Sequence, residues 1–349
     1  MLIMIEAHVL DSWTRLDQRG STLYDWSMIL GGLGAPLFLL LAGVSVSLSA
    51  GANARKTGDT RSASRAVARR GLEIFALAFL FRLQALVVSW GAWRSLLKVD
   101  ILNIMGPSIV AAAACWSLAR TNRGRMLWLL AATLAMTLMT PPVRLTGLLD
   151  FLPDPLEGYI RPRAGYTSFA FFPWAGFLFG GALIGVLIDG TRTPETERRL
   201  SVWLGLCGAG LIVAGYGLSF LPSPYARSDF WTSSPSFFIL RAGILTLSLA
   251  AAYWWHQRPL MLWPFSPLQQ MGRTSLFIYW IHIELIYGLI VRPLHKALTF
   301  GQAWLGVLIF ALAMLVVSLC KSWVAARFAS SGHRLWFRPG SNSRTKAMI

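Results

Sequence analysis

The chain is 349 residues long, 55% hydrophobic and only 13% charged, with a mean hydropathy of +0.54. Soluble domains carry about 25% charged residues, so the composition excludes a soluble enzyme and indicates a polytopic membrane protein. The net charge of +17 is spread over separate loops, which fits membrane topology and anionic-lipid contact rather than a nucleic-acid surface.

In chain order, the opening MLIMIEAHVLDSW holds an apolar run over 1–10. It is too short to cross alone, since a spanning helix needs about 20 apolar residues. It has no basic leader and no small-residue cleavage site before Asp11, which argues against a signal peptide. Spans are expected near 27–50, 72–91, 101–119, 124–141, 167–188, 201–220, 236–256, 273–292 and 303–325. These apolar runs are continuous rather than alternating, so helices are expected, not barrel strands. Counting the opening segment gives ten helices, and loop 142–166 or the tail has room for one more. The fold class read from the sequence is therefore all-α, a polytopic transmembrane helical bundle of about 10–11 helices. It occupies 1–326 and is followed by a basic tail, 327–349.

Lys and Arg concentrate on the cytoplasmic side of short loops. One set of loops with the tail holds 20 basic residues and the opposite set 10, which places the C-terminus in the cytoplasm and loop 142–166 outside. This distribution suits a bacterial inner (cytoplasmic) membrane. Cys115, Cys207 and Cys320 lie in expected spans without paired or metal-ligand spacing; buried, unreactive thiols and no metal are expected.

Ionisable groups inside a membrane are costly and mark functional candidates. His8, Asp11 and Arg15 fall three or four apart, on one helical face, and Glu6 points elsewhere. A carboxylate beside an imidazole can fix its tautomer and raise its basicity. A solvated His8 at the membrane surface stands as the alternative. Ser275, Tyr279 and His282 form a polar stripe on an apolar helix, either lining a cavity or bonding neighbouring helices. Arg82 sits mid-span and either pairs with a carboxylate such as Asp100 or meets an anionic ligand. Arg241 lies nearer the external end and can snorkel. Trp174 and Pro173, in the FPW stretch, either shape a cavity or simply pack. His256, His295 and His333 are expected to be solvated. No GxSxG, P-loop, HExxH or GxGxxG motif is present.

Five stretches occur in a fixed order: MLIMIEAHVLDSW, GGLGAPLFLLLAGVSVSLSAG, VDILNIMGPSIVA, YTSFAFFPWAGFLFGGALIGVLI and GRTSLFIYWIHIEL, with a basic loop after the second. The series resembles the heparan-α-glucosaminide N-acetyltransferase catalytic-domain family over nearly the whole chain. The apolar pieces are degenerate, the FPW and GR-SL-Y-H pieces are moderately specific, and the shared order carries the resemblance. The family implies transfer of an acetyl or acyl group from cytoplasmic acetyl-CoA or another acyl-CoA to a glycan or amino-sugar acceptor across the membrane. Its proposed catalytic histidine, near the external end of the first helix, matches His8. Its first helix usually begins with an Arg-Gly pair for which there is no room here, so Met1 is expected to be an internal methionine of the first span.

On that expectation, His8 is the base, or is itself acylated, and Asp11 orients it. Arg69, Arg70, Arg123 and Arg273 are the candidates for the phosphates of acyl-CoA, with solvated loop charges as the alternative. Arg82, Asp100, Trp174, Tyr279 and His282 are the candidate cavity-lining residues. Loop 142–166 would be a lid over the acceptor or a plain surface loop. The expected partners are acyl-CoA, the acceptor, the lipid bilayer and a further copy of the chain in a homo-oligomer. The rival class is a transporter for a small solute, with glycine-broken helices at the midplane. Against it, no corresponding pair of interrupted helices is found in two halves of the chain.

Overall fold

The computed structural model describes residues 1–89, 93–257 and 265–330. The tail beyond 330 and Arg258, both counted among the basic residues above, lie outside the described residues. Fourteen α-helices, four short 3-10 helices and two isolated bridges make up the regular structure of the described residues. Among the described residues, six segments are long and apolar enough to cross a membrane: Thr22–Thr57, Ile101–Leu118, Phe171–Gly190, Pro194–Leu218, Pro235–His256 and Phe300–Phe328. The protein is thus an all-α, polytopic, integral membrane protein.

Three expected spans take a different form. The described part of the expected span 72–91, residues 72–89, belongs to a helix, Thr60–Ser89, that also carries the arginines of the preceding loop. The stretch 124–141 is a helix of 17 residues, Asn122–Leu138. The stretch 273–292 holds only a 13-residue helix, Ser275–Tyr287, because Gly288 is extended and Pro293 follows. A proline cannot donate to a continuing helix.

The chain divides into two compact units, Met1–Gly34 with Tyr253–Ile349, and Ala35–Ala252. The first contains α1 (Leu2–Trp13), α2 (Thr22–Gly31), α12 (Pro267–Arg273), α13 (Ser275–Tyr287) and α14 (Phe300–Ser330). α1 packs on α2, α13 and α14. Ile5, Val9, Leu10 and Trp13 bury one face of α1 among Ile278, Ile286, Val307, Phe310 and Met314. Trp13 meets Phe310 edge to face at 6.0 Å, and Gly306 admits the Trp13 ring where a Cβ would stand 3.0 Å from it. α2 begins where the Ser21 hydroxyl accepts from the Tyr24 amide, satisfying one of the unpaired donors of a helix start.

The second unit is built around α9 (Phe171–Gly190), which packs against α5 (Ile101–Leu118), α6 (Asn122–Leu138), α7 (Thr140–Leu145), α8 (Asp154–Ile160) and α10 (Pro194–Leu218). α3 (Gly34–Thr57) also lies on α9. A Cβ on Gly43, Gly181 or Gly185 would collide with backbone of the facing helix, so these glycines bring the two helices into backbone contact. Ser47 Oγ donates to the Ala182 carbonyl at 2.6 Å, and Arg55 pairs with Asp189 at 2.8 Å. Small residues at close crossings and hydroxyls bonded across helices are the means by which helices associate without a hydrophobic driving force. Gly208 and Gly215 of α10 repeat the device against α11 (Pro235–His256), through Gly243. The outer faces of α10 and α14 remain apolar and exposed, as at Trp203, Leu206, Leu308 and Leu312. Cys207 and Cys320 lie on these outward faces, which corrects the expectation that all three thiols are buried: only Cys115 is partly buried.

Loop 142–166 is folded rather than plain. α7, a short turn and α8 are tied together by Arg161, which pairs with the wholly buried Glu157 and reaches Asp150 at 2.5 Å. Arg163 adds Glu157 at 2.6 Å and Asp154 at 3.1 Å.

Candidate active site

α1 and α13 run in the same direction, so His8 stands beside His282 and Asp11 beside Tyr287. The His8 and His282 rings lie 5.5 Å apart, centroid to centroid. The Tyr287 hydroxyl donates to Asp11 Oδ2 at 3.2 Å and contacts His8 Nδ1 at 3.1 Å. A hydroxyl has one proton to give. Once it goes to Asp11, the Tyr287 oxygen accepts from His8 Nδ1–H, and the lone pair of His8 falls on Nε2. Asp11 therefore acts on His8 through Tyr287. Sequence spacing put Asp11 and His8 on one helical face; the intervening phenol comes from 276 residues further along the chain than Asp11.

The supports of this group are also tertiary. Arg15 was expected on the His8 face, but α1 ends at Trp13 and Arg15 pairs with Asp17 at 2.6 Å. Arg19 takes its place, lying 3.6 Å from Asp11 and donating to the Asp11 carbonyl. The end of α13 frees the Ile286 carbonyl, which accepts from Ser12 Oγ at 3.2 Å, Trp13 Nε1 at 3.3 Å and His295 Nε2 at 3.0 Å. That cluster clamps α1 to α13 one residue from Tyr287, and it gives His295 a structural partner in place of the expected solvent.

His282 is wholly buried. Its Nδ1 contacts the Ile278 carbonyl at 2.9 Å, which requires the proton on Nδ1, and Nε2 has no hydrogen-bond partner among the described residues. Tyr279, also buried, meets the His282 ring edge-on at 5.6 Å. Ser275, the third member of the stripe, is only partly buried, at the helix start. Glu6 turns away from this group. It is buried against Gly31 of α2, where neither carboxylate oxygen has a partner among the described residues.

The family model for the catalytic region of heparan-alpha-glucosaminide N-acetyltransferase matches residues 1–210. The chain belongs to this family. No curated protein matches it. The family is one of acetyltransferases, so the chain is of the acetyltransferase type. The match contains His8 and Asp11 and stops short of α13, which supplies Tyr287, Tyr279 and His282.

The remaining candidates are dispersed over both units. Arg82 pairs with Asp100 at 2.9 Å, both side chains about 15% exposed. Asp100 also caps α5: its other oxygen accepts from the Ile101 amide, and Asn103 returns a bond to the Asp100 amide. This pair serves the fold of the second unit. Arg69 and Arg70 share Glu73, at 3.6 and 2.9 Å, on the exposed face of α4 (Thr60–Ser89). Arg123 is exposed at the start of α6. Its neighbour Arg125 is buried instead, lying 3.7 Å over the Trp116 ring. Arg273 is exposed at the end of α12, in the first unit.

Trp174 lines a cavity of about 330 Å³ in the second unit, with Arg144, Trp231, Phe237, Phe238 and Arg241 among its walls. Arg144 and Trp231 were not singled out by sequence; nothing in their local pattern marks them, because the cavity is assembled from α7, the start of α9 and the approach to α11.

Proposed function

We propose that this protein transfers an acetyl or other acyl group from acyl-CoA to an amine or hydroxyl of a glycan or amino-sugar acceptor, with His8 as the base. The observation that carries the reading is the Asp11–Tyr287–His8 chain, which leaves a lone pair on His8 Nε2. Family membership supports the reaction class. His8 Nε2 takes the proton as the acceptor nitrogen or oxygen bonds to the thioester carbonyl carbon. The C–S bond then breaks, and the imidazolium returns the proton to the departing thiolate. Asp11 stabilises the imidazolium through Tyr287, and Arg19 holds Asp11. A positioned base of this kind contributes about 10²–10⁴-fold. The buried His282 Nε2, unpartnered among the described residues, is an acceptor that an N–H or O–H of the bound substrate would satisfy, since buried polar atoms are otherwise paired.

The two-to-one bias of basic residues supports acyl-CoA arriving from the cytoplasm and an acceptor outside, with the C-terminus cytoplasmic and the protein in a bacterial inner membrane. Arg69, Arg70, Arg123 and Arg273 are the cations available for the CoA phosphates.

The test is binding of labelled acetyl-CoA to detergent-purified protein, followed by transfer to amino-sugar acceptors with His8→Ala as control. Saturable binding displaced by CoA, with transfer lost in the variant, is expected. No binding to a folded preparation across several acyl lengths would overturn the acyl-CoA mechanism.

A further inference from the structure

The cavity of the second unit carries charge that the fold does not use. Arg241 projects from α11 with its guanidinium 3.9 Å from the Phe237 ring centre and 6.0 Å from that of Trp174. It makes no hydrogen bond or ion pair among the described residues. Ring faces attract the positive charge of a guanidinium, while its five N–H donors remain open to an incoming acceptor. Arg144 faces the same space. Two of its nitrogens donate to the hydroxyl and carbonyl of Thr232, at 2.9 and 2.6 Å, but its buried Nε has no partner among the described residues. Burial holds the Arg144 guanidinium below its usual value, with Asp229 opposing the shift.

Among the described residues no Asp or Glu lines the cavity; its other polar walls are hydroxyls, including Thr167, Ser168 and Ser234. The acid nearest in the bonding pattern, Asp229, accepts from the Thr232 amide and hydroxyl. Leaving a buried donor such as Arg144 Nε without an acceptor is costly, and two arginines lining one partly open cavity call for an anion. A guanidinium fork matches a carboxylate or phosphate, and the aromatic walls supply a surface for a flat, apolar body. The volume, about 330 Å³, suits a small molecule.

We propose that this cavity is a binding site for a small organic anion, one carboxylate or phosphate group on a ring or similarly flat body, held by Arg241 and Arg144. The group can come from a soluble metabolite or from a lipid headgroup. The site stands on the second unit alone and does not depend on the acyltransfer reading.

The test uses the full-length protein in nanodiscs of phosphatidylcholine, titrated with phenyl phosphate, with benzoate and with neutral benzyl alcohol. Saturable binding of the two anions and none of benzyl alcohol is expected. Arg241→Gln should lower anion affinity by about tenfold or more, and Arg241→Lys should retain part of it. If Arg241→Gln does not fold, Arg144→Gln and the contrast between charged and neutral probes on the unaltered protein decide. Loss of phenyl phosphate binding in phosphatidylglycerol nanodiscs identifies a lipid headgroup as the occupant, and unchanged binding identifies a soluble anion. Equal binding of benzyl alcohol, no anion binding at all, or full affinity in Arg241→Gln would overturn the proposal.

Discussion

The group around His8 in the first unit and the cavity around Arg241 in the second solve opposite problems with polar groups in apolar surroundings. His8 is paired into a chain that ends on a carboxylate and an arginine, so a proton gained at the imidazole is compensated. Arg241 has ring faces, hydroxyls and Arg144 about it and no carboxylate among the described residues, so its charge awaits a partner from outside. The first arrangement is suited to moving a proton and the second to holding an anion. Substitutions in each should therefore move different readouts.

The largest expected effect is His8→Ala, which should lower acyl transfer by about 10²–10⁴-fold while phenyl phosphate binding to the second unit persists. Loss of both would show that the variant disturbs the fold. Next is Asp100, which separates structural from functional charge in the second unit. Asp100→Ala leaves Arg82 unpaired and removes a helix cap, costing about 1–3 kcal/mol for the broken, partly buried pair and about 1 kcal/mol for the cap. Asn keeps the cap, so Asp100→Asn should unfold at a higher temperature than Asp100→Ala in detergent; equal unfolding temperatures would refute the capping role. Tyr287→Phe removes the bridge between His8 and Asp11. Supporting partners of this sort are worth about 10–100-fold, so kcat should fall by that range and the pH–rate profile should change shape, with acetyl-CoA affinity retained. An unchanged profile would mean that Asp11 acts on His8 by another route. The smallest effect belongs to Gly181→Ala. Its Cβ meets the Leu40 carbonyl, and the helices must separate at a cost of about 1–3 kcal/mol, measurable as earlier thermal unfolding without a change in the kinetics assigned to His8.

What the sequence by itself determined is everything that follows from local composition and spacing. Continuous apolar runs dictate helices, because lipid offers backbone groups no other partner. The Arg82–Asp100 pair was legible because two opposite charges in adjacent apolar stretches have few alternatives to each other. His8 with Asp11 was legible as one face of one helix. Tertiary structure alone decided the rest. Tyr287 and His295 join the His8 group because α13 ends at Gly288 and lies alongside α1, and no spacing rule connects residues almost 280 positions apart; Arg19 joins because the chain turns back once α1 ends at Trp13. The cavity of Arg144, Trp174 and Arg241 depends on three helices and a loop coming together, with Gly176 admitting the Phe238 ring. Periodicity tells which face of a helix is apolar. It does not tell which other helix that face will meet, because in apolar surroundings the choice rests on close packing and a few hydrogen bonds rather than on hydrophobicity.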